Sequence, residues 1–336
     1  MAVWFATAAG NINSAGRWAA NPDGSGGTLT WPPSIGDVLV ANNKGTITIN
    51  VSTDLGSTGQ VRNDAFGGAA EGGFFAYSVG VTLTANIISG SVASQCVLSA
   101  QPGTLVGNIT GGSGKIGLQV QNSSGTFTVS GSVTGGTGAG GYGINSDITG
   151  SGVLSITGNV AGGSGSICYG INNAFTGALN ISGNITGSSS GSNNRGVHNN
   201  STGAVTITGN TIAGTGTGNF GVRNNAGGSL TVTGYAQASS TLPAINNVAQ
   251  GVVTVSETRS ASNCNPAITG AFRYASATAA KDMPYTPEGQ ITMTVLDVAA
   301  IVPAESDVRK GLVYGDGAYT GTLQLGRNRT SMAGRF

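Results

Sequence analysis

The sequence predicts an all-β chain wound into a parallel β-helix (β-solenoid), taken as right-handed because long Gly-cornered coils usually are, and three features predict the winding. Imperfect units of about two dozen residues recur from Thr82 to Ser256. They align on Gly107, Gly131, Gly158, Gly183, Gly209 and Gly234, with steps of 24, 27, 25, 26 and 25 residues, and a fixed period of that length marks a solenoid. Within a unit, as in Val153-Leu-Ser-Ile-Thr, apolar and hydroxyl residues alternate, which makes one strand face apolar and the other polar. Each unit also holds three short apolar elements, at Leu154/Ile156, Val160 and Ile171 in one of them. Gly-rich corners, where a positive φ costs little, separate them. About seven or eight coils of ~22–27 residues are expected over residues 82–270.

Stacking such coils about 4.8 Å apart places equivalent side chains in columns. Leu154, Leu179, Val205, Leu230 and Val253 form one inward column, and Ile156, Ile181, Ile207, Val232 and Val255 the next. A corner column runs Asn145, Asn172, His198, Arg223, Asn246; beside it Ser146, Asn173, Asn199, Asn224 and Asn247 are placed to form an amide ladder.

Composition fits an ordered repeat. The 336 residues include 59 glycines, a content that without a period would signal disorder. Here Leu, Ile and Val recur at fixed offsets. Only 8% of residues are charged and the formal net charge is +1, so no basic stripe points to nucleic acid. Cys96, Cys168 and Cys264 have no metal-like spacing and fall in distant coils, so inert thiols are expected rather than a disulfide framework.

The start, Met1-Ala-Val-Trp-Phe-Ala, has no basic segment followed by a long apolar run, so no signal peptide is read there. No stretch approaches the roughly 20 apolar residues of a membrane span. Residues 1–81 read as an aperiodic β cap or attachment segment, with Trp18 and Trp31 flanking a Gly-rich loop. In it, Asn42-Asn-Lys-Gly reads as a hairpin turn between Val38-Leu-Val and Thr46-Ile-Thr-Ile. Covering the first coil is the simplest role for this segment, since an open end templates aggregation. Residues 271–336 read as a linker, with prolines at Pro284 and Pro287, followed by a β-containing attachment segment that closes on Arg327, Arg329 and Arg335.

Two segments carry a resemblance. Pro303-Ala-Glu-Ser-Asp-Val-Arg-Lys-Gly-Leu-Val-Tyr-Gly-Asp-Gly-Ala-Tyr-Thr-Gly-Thr-Leu resembles a run found in tailed-bacteriophage virion proteins. The opening, with Trp18, Trp31 and Ile35-Gly-Asp-Val ahead of a first strand, is similar to the start of phage β-helix proteins. The resemblance covers about a quarter of the chain and implies a virion component, made in the host cytoplasm and assembled as a homotrimer. It does not separate head from tail, and it implies no catalytic residue. Trp18, Trp31, Arg309, Tyr314, Tyr319, Arg327 and Arg329 are the candidate attachment residues.

Three functional readings then compete. Polysaccharide hydrolysis needs paired carboxylates, and lyases on this fold need carboxylates for calcium or a positioned base. Between Gly72 and Ser256 there is one acidic residue, Asp147, and His198 is the single histidine. His198 shares its column with Asn and Arg and reads as a solvated corner residue. These counts favour a non-enzymatic protein with no cofactor and no metal. A glycan-binding surface has one candidate, the shared offset of Tyr142, Tyr169, Arg195 and Phe220. Tyr142 lies two residues before inward Ile144, so alternation puts it on the interior face, while Arg195 pulls the column towards a corner or subunit contact; packing is the preferred role. Finally, Thr128/Ser130, Ser155/Thr157, Thr206/Thr208 and Thr231/Thr233 resemble the Thr-x-Thr ladder of ice-binding solenoids, but Asn180/Ser182 and unequal coils interrupt it. The expectation is a capsid decoration (cement) protein on the particle exterior, contacting the major capsid protein. A tail fibre that binds a host-surface glycan is the alternative and ice binding the remote one.

Overall fold

A computed structural model describes residues 1–41, 44–62, 75–89, 95–99, 101–113, 116–121, 124–146, 150–214, 219–238, 244–247 and 252–259, with short strands at 268–269, 271–275, 280–283, 290–294, 313–314 and 319–320. Every regular element among them is a strand, and almost all pairings are parallel. The chain is a three-faced parallel β-solenoid.

One turn shows the plan. Val153–Thr157 lies on the first face, Val160–Ala161 on the second and Ile171–Asn173 on the third. Each pairs in register with its equivalent one turn on: Leu154 with Leu179, Val160 with Ile185, Ile171 with Val197. From Thr53–Asp54 to Val222–Asn224, twenty-one strands at three per turn give seven turns with separate strands. The next two turns fuse their first two strands into Leu230–Gln237 and Val252–Arg259, with a register shift between Val232 and Tyr235.

Both inward columns form as the alternation requires. Leu154, Leu179, Val205, Leu230 and Val253 pair in series, as do Ile156, Ile181, Ile207, Val232 and Val255. All are buried in one continuous core running along the axis. At about 25 cal/mol per Å² of apolar surface removed from water, these columns supply the main drive for winding.

The corner between the first and second faces depends on glycine. Gly107, Gly131, Gly158, Gly183 and Gly209 all have positive φ, and a Cβ on Gly183 would lie 2.1 Å from the carbonyl oxygen of Gly158. The residue after each glycine ties the turns together. Asn108 N–H donates to Asn86 Oδ1, Ser132 N–H to Asn108 Oδ1, Asn159 N–H to Ser132 Oγ, Asn184 N–H to Asn159 Oδ1, Asn210 N–H to Asn184 Oδ1 and Tyr235 N–H to Asn210 Oδ1.

The N-terminal segment differs from expectation. Parallel ladders already run through it: Val3–Phe5 pairs with Val38–Val40, which pairs with Gln60–Arg62, and Ile47–Ile49 pairs with Phe75–Tyr77. Winding therefore begins well before residue 82. Val38–Val40 and Ile47–Ile49 stand on different faces and do not pair with each other, so they are not the arms of a hairpin. Uneven turn lengths hid the period: residues 12–37 are inserted in one turn, with Trp18–Ala19 pairing antiparallel to both Phe5–Ala6 and Thr28–Leu29. Trp18 is wholly buried and its indole N–H donates to the Ile12 carbonyl at 2.7 Å. It is a core residue of this end and is not available for attachment. Trp31 is half-buried and packs on the same core. Asp37, also buried, accepts hydrogen bonds from Ala2 N–H, Trp4 Nε1 and Ser34 N–H, which hold its carboxyl below its usual range against the opposing effect of burial. At the other end, Gln290–Thr294 pairs in parallel with Val252–Val255, so the first-face ladder continues beyond residue 270. Tyr314 and Tyr319 face each other in an antiparallel pair. Arg309, Arg327, Arg329, Cys264 and Asp147 lie outside the described residues.

Candidate functional site

The third face carries the densest polar chemistry. Its strands Ile144–Ser146, Ile171–Asn173, Val197–Asn199, Val222–Asn224 and Ile245–Asn247 each point the first and third residues inward and the middle one outward. The third residues form the expected amide ladder. Ser146 Oγ donates to Asn173 Oδ1 at 2.8 Å, Asn173 Nδ2 to Asn199 Oδ1 at 2.8 Å, Asn199 Nδ2 to Asn224 Oδ1 at 2.7 Å, and Asn224 Nδ2 to Asn247 Oδ1 at 2.9 Å. The corner backbone closes some of the remaining bonds: Asn199 also accepts from Ser201 N–H and donates to its carbonyl. Buried amides are tolerable when satisfied in this way.

The outward middle residues begin as a second amide row, Asn145 Nδ2 donating to Gln119 Oε1 and Asn172 Nδ2 to Asn145 Oδ1. His198 and Arg223 then break the row. His198 is half-buried rather than solvated, its ring edge-on to Tyr169 at 5.0 Å and 82°. Arg223 Nε donates to Asn225 Oδ1 at 2.9 Å, which fixes the orientation of that amide. Asn225 Nδ2 lies 2.8 Å from His198 Nε2. Asn200 Nδ2 lies 3.5 Å from Nδ1 on the other side of the ring. Burial first, then the Arg195 and Arg223 charges, push the His198 pKa down to about 3.

Tyr142, Tyr169, Arg195 and Phe220 do share a column, but not where alternation put it. Each precedes a corner glycine, Gly143, Gly170, Gly196 or Gly221. A Cβ at Gly170 would meet Ile185 Cγ2 at 2.5 Å, so these corners are closed to side chains. Alternation counted back from Ile144 does not survive that corner, and the column turns outward. Tyr169 is 6% exposed yet stands outside the apolar core, covered by its own neighbours. Its ring stacks on half-buried Tyr142 at 5.1 Å and 23°, and the Arg195 guanidinium lies over it at 4.8 Å from the centroid. Phe220 is half-buried below. The backbone two residues before three of these side chains is left-handed: Gly140 at φ 76°, Ile167 at 55° and Asn193 at 58°. For Ile167 that is a strained conformation, whereas asparagine enters it readily.

Arg195 is the unusual member. It is 6% exposed, and its Nε has no hydrogen-bond partner among the described residues. Burial pulls its pKa down and Arg223 adds to this, while the Tyr169 and Tyr142 hydroxyls, with a side-chain hydrogen bond to Tyr169, oppose it; among the described residues no carboxylate contributes. Cys168, one residue before Tyr169, is a buried free thiol pushed up by burial. Among the described residues no group of three or more His, Cys, Asp or Glu side chains is placed to hold a metal ion, and no helix is long and apolar enough to cross a membrane. His198, Arg223 and Asn225 were not legible as partners of the aromatic column, because their convergence depends on which way the corner turns. Searches of protein-family models, curated proteins and solved structures return no match to this chain.

Proposed function

We propose that the chain is a non-enzymatic structural protein of a tailed-phage particle, a homotrimeric decoration protein seated on the major capsid protein at the particle exterior. The observation that supports this is the shape of the wound region. The third-face ladder of eleven strands, spaced about 4.8 Å apart, makes a stub of about 50 Å, too short to reach far from a surface and suited to a knob upon one. Its turns are cross-linked by backbone ladders on three faces and by two side-chain ladders, which makes it a stiff building element. The phage assignment itself comes from the resemblance of Pro303–Leu323 and of the opening.

A tail fibre or receptor-binding protein is the second reading, favoured by the outward column of Tyr142, Tyr169 and Arg195. Gold labelling of tagged protein on intact particles, counted by electron microscopy, separates the two. Labels spread over the head are expected; labels confined to the tail tip would establish the second reading, and unlabelled particles would overturn both.

A further inference from the structure

We propose that the outer surface of the third face holds an oxyanion-binding site, built from Arg195, Arg223 and His198, for a small carboxylate. It does not depend on where the protein sits on a particle.

The buried guanidinium comes first. Taking an arginine out of water without a counter-charge is costly, and its placement here is fixed by a ring beneath it and a closed corner after it. With Nε directed to no partner and no carboxylate against it among the described residues, it is the free half of an ion pair. Planar carboxylates match the guanidinium fork in two parallel hydrogen bonds.

Neighbouring groups agree on charge. Arg223 raises the positive potential at Arg195 and at His198. His198 is kept neutral by burial and by the two arginines, and the neutral imidazole carries one N–H donor. The groups acting on the imidazole among the described residues are Tyr169 beside it, the charges of Arg195 and Arg223, and the amides of Asn200 and Asn225; none is acidic.

The test uses the whole chain without a histidine tag, so that His198, the single histidine, gives one unambiguous imidazole signal by NMR. Glucuronate, glucose, acetate and sulfate serve as probes. Glucuronate is expected to shift that signal saturably and to raise the pH at which the imidazole protonates, because a bound anion offsets the two arginines; glucose is expected to leave it unchanged. Arg195→Met is expected to weaken glucuronate binding at least tenfold. Arg223→Gln, at a half-exposed position, provides a second charge deletion if the first variant fails to fold, with the same direction expected. No response to any probe would overturn the site. Sulfate binding more tightly than both acetate and glucuronate would overturn the carboxylate, and tighter binding of a single-stranded DNA oligomer would reassign the charge to a phosphate partner.

Discussion

Two columns run side by side along the third face, and they treat polar burial in opposite ways. In the inner one, Asn173, Asn199 and Asn224 each donate to the turn after and accept from the turn before, so each amide's cost of burial is offset within the ladder. In the outer one, Tyr142, Tyr169 and Arg195 stack, but the charge among them finds no counter-charge among the described residues. Identical residues at identical offsets complete one another; a cation among aromatics leaves something over. The difference teaches where a solenoid carries structure and where it has room for a ligand.

The largest effect should come from breaking the closed column. Asn199→Ala strands Asn173 Nδ2 and Asn224 Oδ1 in the interior, at about 1–3 kcal/mol for each unpaired group. A loss of roughly 3–5 kcal/mol is expected, read as a lower denaturant midpoint, whereas Asn172→Ala on the outside should cost less than about 1 kcal/mol. Equal losses would remove the contrast between the columns.

An intermediate effect concerns acid. His198 titrates near 3 when folded against about 6.5 when unfolded, so between those values the unfolded chain binds the extra proton. Its contribution to stability is complete above about pH 6.5 and falls as pH drops towards 3. Melting temperature should decline across that window, and His198→Asn should flatten the slope. An unchanged slope in the variant would place the acid sensitivity elsewhere.

Smallest is the relief of backbone strain on the open side. Ile167 is 45% exposed at φ 55°, a region that asparagine enters more readily. Ile167→Asn should stabilise by about 1 kcal/mol, measured as a raised melting temperature with the third-face NMR signals unmoved.

Much of this architecture was legible because a solenoid repeats its chemistry. Leu154 and Ile156 identify their columns, and Ser146 with Asn173, Asn199 and Asn224 identifies the inner ladder, since equal offsets mean contact once strands are parallel. Three things were not legible. The turns upstream of residue 82 carry an insertion at 12–37 that erases the period without breaking the ladders. Trp18 looked presentable in a Gly-rich setting, yet an indole that size fills the core wherever the first turn can close over it. Tyr142 was placed inside by counting from Ile144, but a glycine corner between them resets the alternation. The candidate site suffered from that same corner: with the aromatic column turned inward, His198 and Arg223 had nothing to meet.

The outer row at the first corner has a direction. Asn86, Asn108, Asn159 and Asn184 each hold out an acceptor for the backbone of the turn that follows in the chain. A nascent chain leaving the ribosome after any of these residues thus ends in a vacant hook for the N–H about to be made. Winding can proceed vectorially, one coil laid on the last, while a fragment beginning mid-way has a first coil with nothing to catch it.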